Sequence, residues 1–300
     1  MILIISENND KTTIEVIRWV YLLGKKFIRI HEDELFEIKV IRKKVFLKSD
    51  RSQFFLDDID VVWYRRGGLN FKRLQYKNDS ININLNEAQH WLEDYVRKTL
   101  ENKKHINKES NYHINKLLVL EKAKEIGFDV PAYYLAGNTD DIIVNKTITK
   151  TITGNSILEN FDENCDGLMY TTIIEKKEDK DFFISFFQEK VEKDFEIRTF
   201  YLNGKCWSMA IFSQKDEQTK IDFRRYNKKK PNRNVRYILP KIIEDKIHLL
   251  MKALDLNCGS LDFIKKGEQY YFLEVNPIGQ FGNVSYHCNY ELFKEVAEAL

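Results

Sequence analysis

The stretch "GSLDFIKKGEQYYFLEVNP" near the C-terminal end constrains the fold more than any other part of the chain. Its polar middle, Lys265 to Gln269, contains Gly267 and separates two short strand-like runs, so the stretch reads as a β-hairpin. Side chains alternate between the faces of a strand. Leu261 and Phe263 share one face of the first run, and Tyr271, Leu273 and Val275 share one face of the second. If those apolar faces coincide, the connection holds an odd number of residues, and Asp262, Glu274 and Asn276 fall together on the opposite face. A two-residue turn at Gly267–Glu268 would instead put Asp262 and Glu274 on opposite faces. Two carboxylates and an amide oxygen held together on strands form a hard-oxygen site that suits Mg²⁺, with phosphate and water completing its shell. A half-exposed hairpin with its polar residues in water fits the same pattern, so the rest of the chain has to decide.

With 300 residues the chain has room for two or three compact units, and its 43% hydrophobic content supports a sizeable core. Lys and Arg number 48 against 46 Asp and Glu, a balance that does not mark a dedicated nucleic-acid binder. Cys165, Cys206, Cys258 and Cys288 are scattered with no C-x-x-C pair, which argues against a disulfide framework or a cysteine zinc site and fits a reducing cytoplasm. The apolar opening "MILIIS" is too short for a signal peptide or a membrane span, and no later run reaches membrane length. It reads as a first buried strand.

Strand and helix patterns alternate after it. "DKTTIEVIRWVYLLG" carries Ile14, Ile17, Trp19, Val20 and Leu22–Leu23 at broadly helical spacing and stops at Gly24. "KFIRI" and "DIDVVWYRRGG" read as strands, the second running into a Gly-rich turn. "NEAQHWLEDYVRKTLEN" is an amphipathic helix with Ala88, Trp91, Leu92, Tyr95 and Val96 on one side. This predicts an open α/β unit over residues 1–106. A second segment, 107–187, opens with a helix that stops at Gly127, then Pro131 and strands. A third, 188–300, contains alternating "DFEIRTFYL", the hairpin turn Asn203–Gly204, a helix after Pro240, the opening hairpin and a last helix.

Several polar residues stand where chemistry is possible. Lys116 begins a helix, and Lys150 ends a β-branched run just before the small polar loop around Gly154. Lysines at element ends can neutralise phosphates, and such a loop can offer backbone N–H groups, although the chain has no P-loop pattern. Solvated surface lysines are the plainer reading of each. In "FQEKVEKDFEIR", Gln188 and Glu189 interrupt an aromatic run that Val191 resumes, as the edge of an adenine pocket requires. Glu196 can accept from ribose hydroxyls, and Arg198, of the same strand parity, can reach a phosphate with both arms. An exposed strand face with alternating charges explains the same residues. Arg224 and Arg225 in "DFRRYN" have few compensating acids besides Asp222, and Arg65 and Arg66 end an apolar strand, where α/β sheets commonly face ligands. Surface ion pairing is the alternative for all four. The basic run "NKKKPNRNVR" reads as a solvated loop.

Taken in order, Lys116 in "NKLLVLEKAKEIGFDVP", Lys150 in "TITKTITGNS", "FQEKV", "EIR", "LDF" and "LEVNP" resemble the ATP-grasp ligases over roughly residues 107–300. With "VWYRRGG" and "HWLEDYVRKTLE" the chain resembles the peptide maturases that make graspetides, the microviridin-like macrocyclic peptides, and most of all those of grasp-with-SPASM systems. The loop "TITGNSILEN" departs from the pattern in being poorer in glycine. The resemblance implies an ATP-grasp fold with an N-terminal pre-ATP-grasp α/β domain, a central domain and a C-terminal domain. It implies that Lys116 and Lys150 bind ATP phosphates, that Gln188, Glu189 and the Val191 backbone meet adenine and Glu196 the ribose, and that Asp262, Glu274 and Asn276 hold Mg²⁺. Arg198 and Arg224 would stabilise an acyl phosphate, and Arg65, Arg66 and Arg225 would bind substrate. That substrate would be a ribosomal precursor peptide with leader and core, joined through side-chain esters or amides by a homodimeric enzyme that needs neither nucleic acid nor membrane. An ATP-grasp ligase for free amino acids or protein termini, and a nucleotide-binding regulator without ligase activity, remain the rival readings.

Overall fold

A computed structural model of the chain describes all residues except 112, 153–156, 163–164, 178–179 and 226; for 157–162, 165, 166 and 168 only the backbone is described. The chain divides into two compact units, residues 1–112 with 291–300, and residues 113–290.

In the first unit "MILIIS" forms the strand Ile2–Ser6, buried along its whole length. It lies between Phe27–His31 and Val61–Tyr64 in a parallel sheet that Lys104–Ile106 completes. Burial on both faces explains its unbroken apolar run. The helix Lys11–Leu22 starts at Asp10, whose carboxylate accepts from the Thr12 and Thr13 amides. It buries Thr13, Val16 and Val20, while Ile14 and Leu22, which the spacing placed with the apolar stripe, are exposed. A second sheet is built on the strands Leu35–Ile41, Lys44–Lys48 and Gln53–Phe55. The helix Asp79–Glu101 buries Glu93, Val96, Leu100 and Glu101 only. Its other apolar residues, Trp91, Leu92 and Tyr95 among them, are exposed. Residues 291–300, which the sequence groups with 188–300, cluster with this first unit, where the helix Leu292–Ala299 packs on Lys11–Leu22.

The second unit holds two larger sheets. One has the order Thr172–Ile173, Thr147–Thr149, Ser185–Glu189, Tyr133–Ala136, all antiparallel. The other is a five-stranded antiparallel sheet in the order Arg233–Tyr237, Lys205–Phe212, Phe195–Leu202, Cys258–Lys266, Gln269–Asn276. Asn203 and Gly204 turn the first of its hairpins with φ of 47° and 89°, the left-handed pair that a tight two-residue turn requires. The helices Lys116–Ile126 and Lys241–Ala253 cover one face, and their core includes Leu120, Phe128, Ile197, Ile247, Leu250, Leu261, Phe263 and Phe272. Beyond the first helix the Asp129 carbonyl accepts from the Phe272 amide at 2.8 Å. That bond moors the helix to the last strand. Among the described residues no helix is long and apolar enough to cross a membrane.

Candidate active site

The C-terminal hairpin forms by a different route from the odd-numbered connection. Its turn is the two-residue Gly267–Glu268, with Lys266 paired to Gln269. Regular pairing from such a turn would set Asp262 opposite Leu273. A β-bulge between Asp262 and Phe263 changes the count: Phe263 pairs with Phe272, Asp262 with Glu274, and Leu273 is the extra residue. The packing explains the choice. Phe272, not Tyr271 or Leu273, enters the core, stacked at 5.4 Å on Phe128 and edge-on at 5.6 Å to Phe263. Asp262 and Glu274 end up directly opposite each other, and Asn276 follows two residues on, opposite Ser260.

The neighbouring strand extends this row. Arg198 pairs with Asp262 across the sheet, its Nε 3.6 Å from Asp262 Oδ1. Lys116, the first residue of its helix, brings Nζ to 3.0 Å from Glu274 Oε2. Lys150, one residue beyond its strand, holds its ammonium 5.7 Å from the centre of the Phe186 ring. Its charge interacts with Glu274, Lys116, Asp262 and Arg224. Six predicted site residues, Lys116, Lys150, Arg198, Arg224, Asp262 and Glu274, thus share one electrostatic neighbourhood. Burial pushes the Lys150 ammonium below its ordinary pKa, with Lys116 adding to the shift against Glu274. The two acids are driven apart. Burial lifts the Asp262 carboxyl above the carboxylate range, and Glu274 reinforces the rise against Arg198. Burial acts on Glu274 in the same sense, but Lys150 and Lys116 outweigh it and hold that carboxyl low.

Arg224 is less free than its surroundings in the sequence suggest. Its Nε and Nη2 donate to the buried Asp222 carboxylate, the shortest contact being 2.6 Å. Asp222 Oδ2 also accepts from the Thr171 amide, so this acid ties the loop to the smaller sheet. Arg225 sits 5.0 Å over the Tyr170 ring and donates Nη2 to Thr172 Oγ1 at 3.4 Å. Gln188 is buried opposite Ile148, two residues from Lys150. Glu189 at the strand end is exposed, and Val191 just beyond it is half-buried. Glu196 lies on the same side of its strand as Arg198 but is already engaged, by Lys193 Nζ at 2.5 Å and Ser213 Oγ at 3.0 Å. Burial raises its carboxyl pKa despite Lys193. Arg65 and Arg66 belong to the first unit. Arg65 is buried with its Nε 2.9 Å from Asp10 Oδ2, and Arg66 reaches Glu7 at 3.2 Å. The loop at Gly154 lies outside the described residues.

Buried polar atoms without a hydrogen bond among the described residues include Gln188 Nε2, Arg198 Nε, Arg225 Nε and Ser260 Oγ in the second unit and Arg66 Nε in the first. Buried polar groups are ordinarily satisfied, so the orphans on Arg198 and Ser260, whose strand partners are Asp262 and Asn276, mark a place for a polar ligand. Sequence reasoning missed Ser260; its signal was the two-residue offset from Asp262. It also passed over Lys193, and it counted Asp222 as a compensating acid without the bond that acid accepts from the Thr171 amide. Gly279, whose amide donates to the Asn276 carbonyl at 3.0 Å, sits at φ 63°, where a Cβ would meet Phe200 at 3.1 Å and Cys258 at 3.2 Å. The donor set fits a hard divalent cation: two facing carboxylates and the Asn276 amide, whose Oδ1 accepts from the Ile278 amide. Among the described residues no group of three or more His, Cys, Asp or Glu is assembled, so such an ion would owe the rest of its shell to ligand and water.

No family model and no curated protein matches the chain. Solved structures do. A RiPP-associated ATP-grasp ligase from Chryseobacterium gregarium, in complex with ADP and a leader and core peptide, superposes with a TM-score of 0.77 at 22% identity, covering 99% of this chain and 94% of its own. The macrocyclase MdnC from Microcystis aeruginosa MRC, bound with the precursor peptide MdnA, gives 0.73 at 21% identity over 100% and 98%. The fold is ATP-grasp. D-alanine–D-alanine ligase from Bacillus anthracis, at a TM-score of 0.50 and 14% identity over 92% and 86%, shares the ATP-grasp fold with it at a greater distance.

Proposed function

We propose that this protein is an ATP-dependent carboxylate ligase that macrocyclises a ribosomally made precursor peptide through side-chain ester or amide bonds. The observation that carries the reading is the facing pair Asp262 and Glu274, ringed by Lys116, Lys150, Arg198 and Arg224 on one sheet face. Binding alone does not require two opposed acids beside four cations. A triphosphate held by metal ions does. The full-length likeness to ligases solved with ADP and with peptide supports the substrate class.

ATP, held with Mg²⁺ that neutralises its phosphates, would give up its γ-phosphoryl group to a peptide Asp or Glu side chain, leaving ADP and an acyl phosphate whose phosphate departs when the nucleophile attacks. Asp262, Glu274 and Asn276 hold the metal. Lys116, now on Glu274, and Lys150 would take the phosphate charge. Gln188 donates its unpaired Nε2 to the adenine edge, with Glu189 and the Val191 backbone beside it, and Glu196 meets the ribose. The Arg198 Nε, 3.6 Å from Asp262, and the part of the Arg224 fork not held by Asp222 would stabilise the charge that gathers in the transition state. Arg225 and Arg66 would bind the acidic peptide, while Arg65, buried against Asp10, is committed to that ion pair. A Ser, Thr or Lys of the same peptide is the nucleophile, and the enzyme works as a homodimer.

The test is incubation with ATP, Mg²⁺ and a short peptide carrying repeated Thr or Ser and Asp or Glu. Loss of one water mass per ring, with ADP and phosphate released, is the expected result. With free amino acids added, a mass gain of one residue would instead identify an amino-acid ligase. ATP turnover that no peptide stimulates would refute the ligase reading.

A further inference from the structure

Ser260 is a buried polar residue that the ligase reading leaves without a role. It is 1% exposed, and its Oγ has no hydrogen bond among the described residues. A hydroxyl kept dry without a partner is destabilising, so its place in the core needs a reason. In the sheet Ser260 stands between Phe200 on one strand and Asn276 on the other, two residues before Asp262 and therefore on the same face. Phe200 offers the hydroxyl nothing. Its ring is buried, 4.6 Å from the Phe281 ring and 6.0 Å from that of Trp207. The polar side chain across the ladder is Asn276, and directly opposed residues of a sheet hold their Cβ atoms about 4.5–5.5 Å apart.

Asn276 is held firmly by its backbone and loosely by its side chain. Its carbonyl accepts from the Gly279 amide at 3.0 Å and lies so near Gly259 that a Cβ there would sit 3.2 Å from it. The side chain has the Ile278 amide, 3.1 Å from Oδ1. A single bond leaves the amide plane free to swing about it. An amide that serves a cation must present Oδ1 and turn Nδ2 away, because the two ends match in shape while one accepts and the other donates. The side chains that ligate metals are ordinarily oriented by an outer partner for this reason.

We infer that Ser260 is the positioning residue for Asn276: its Oγ accepts from Nδ2–H and so points Oδ1 at the Mg²⁺ of the nucleotide complex. The inference rests on the metal assignment made above and adds to it a residue that touches neither metal nor substrate. Complete burial keeps the hydroxyl from the ligand itself, so it acts through Asn276. It also keeps water from competing for the amide. The bond forms when the ion takes Oδ1, which fixes the amide plane at both ends.

The full-length parent, Ser260→Ala, Asn276→Ala and the double variant are to be titrated with ADP in a calorimeter, once with Mg²⁺ and once with EDTA, and melted without nucleotide. A methyl in place of an unpartnered hydroxyl should leave the melting curve of Ser260→Ala unchanged or move it to higher temperature. Its affinity for ADP with Mg²⁺ should fall about tenfold, as for other outer partners of metal ligands, while its affinity for ADP with EDTA stays that of the parent. Beside Asn276→Ala the same substitution should cost nothing further, since Ser260 acts only through that amide. An unchanged affinity with Mg²⁺ in Ser260→Ala overturns the inference, and so does a loss that persists undiminished beside Asn276→Ala. Melting at lower temperature without nucleotide would make Ser260 a structural residue and overturn it as well. A parent that binds ADP equally with Mg²⁺ and with EDTA refutes the metal assignment, and this inference with it. A parent that binds ADP better with Mg²⁺ but never cyclises peptide refutes the ligase reading and leaves the role of Ser260 to be decided by the variants.

Discussion

Neutralising the two facing acids should have the same effect on turnover and opposite effects on stability. Glu274→Gln removes the carboxylate that Lys116 meets at 3.0 Å and that steadies the buried Lys150. A hydrogen bond to a charged group contributes about 1.5–3 kcal/mol, and the ligand-free protein should lose about that much. Asp262→Asn is different. Burial and Glu274 hold the Asp262 carboxyl above its ordinary pKa, so its ionised form is less at home in the folded protein than in the unfolded chain. An acid shifted in that direction makes a negative contribution to stability at neutral pH, and an amide abolishes it. The long 3.6 Å approach of Arg198 offsets little. Asp262→Asn should therefore leave urea-induced unfolding unchanged or move it to higher urea, while Glu274→Gln moves it lower. Both variants should fail to release ADP in the presence of Mg²⁺ and peptide. Near-normal turnover in both variants would sink the metal assignment. Equal destabilisation by both would refute the electrostatic account of the pair.

Lys150→Ala should weaken ATP binding by about 1.5–3 kcal/mol in a calorimetric titration, and unchanged affinity would contradict its phosphate role. Arg198→Lys and Arg224→Lys should lower kcat and kcat/KM for cyclisation together while ATP affinity stays near that of the parent, because a point charge cannot reproduce a two-armed contact. Variants that cyclise at the parent rate would move this role to Arg66 or Arg225. In the first unit, Arg65 outweighs the burial penalty and holds the Asp10 carboxyl below its ordinary pKa. The stability this confers is present above the unfolded value of about 3.9 and is lost as pH falls through the lower folded value. Asp10→Asn should cost about 3–5 kcal/mol at neutral pH and flatten the acid limb of the stability curve; an unchanged curve would show the buried pair to be energetically idle.

Much of the second unit was legible because its signals are local. Asn203–Gly204 and Gly127 announce backbone conformations that few other residues adopt readily, and they stand where the turn and the helix end require them. The side of the last hairpin that carries the acids followed from alternation. What alternation could not supply was Phe128, 135 residues before Phe263 in the chain, whose ring draws Phe272 inward and so creates the bulge. Two other residues combine a near partner with a distant one, and only the distant half was hidden. Asp222 gains its meaning from Thr171 as well as Arg224, and Lys193 from Glu196 and the Ile221 carbonyl. The helix Asp79–Glu101 was recognisable as amphipathic, but period alone says only that an apolar stripe exists, not what covers it. The attachment of residues 291–300 to the first unit likewise depends on a long-range contact, with the helix Lys11–Leu22.

The extra residue at Leu273 also loosens a coupling that hairpins normally impose. Eleven residues separate Asp262 from Glu274, and an odd interval can be closed in two ways: a two-residue turn with one residue looped out, as here, or a three-residue turn with none. Both closures keep the acids face to face. The hairpin therefore behaves as a slip joint, its outer end free to be recut while the inner end stays in register. Insertions at Gly267–Glu268 should leave the acids in place, whereas losing one residue between Ser260 and Asp262 would throw the whole row of polar residues out of step. Length variation in this protein's relatives should accordingly collect at the tip of the last hairpin and stop at the bulge.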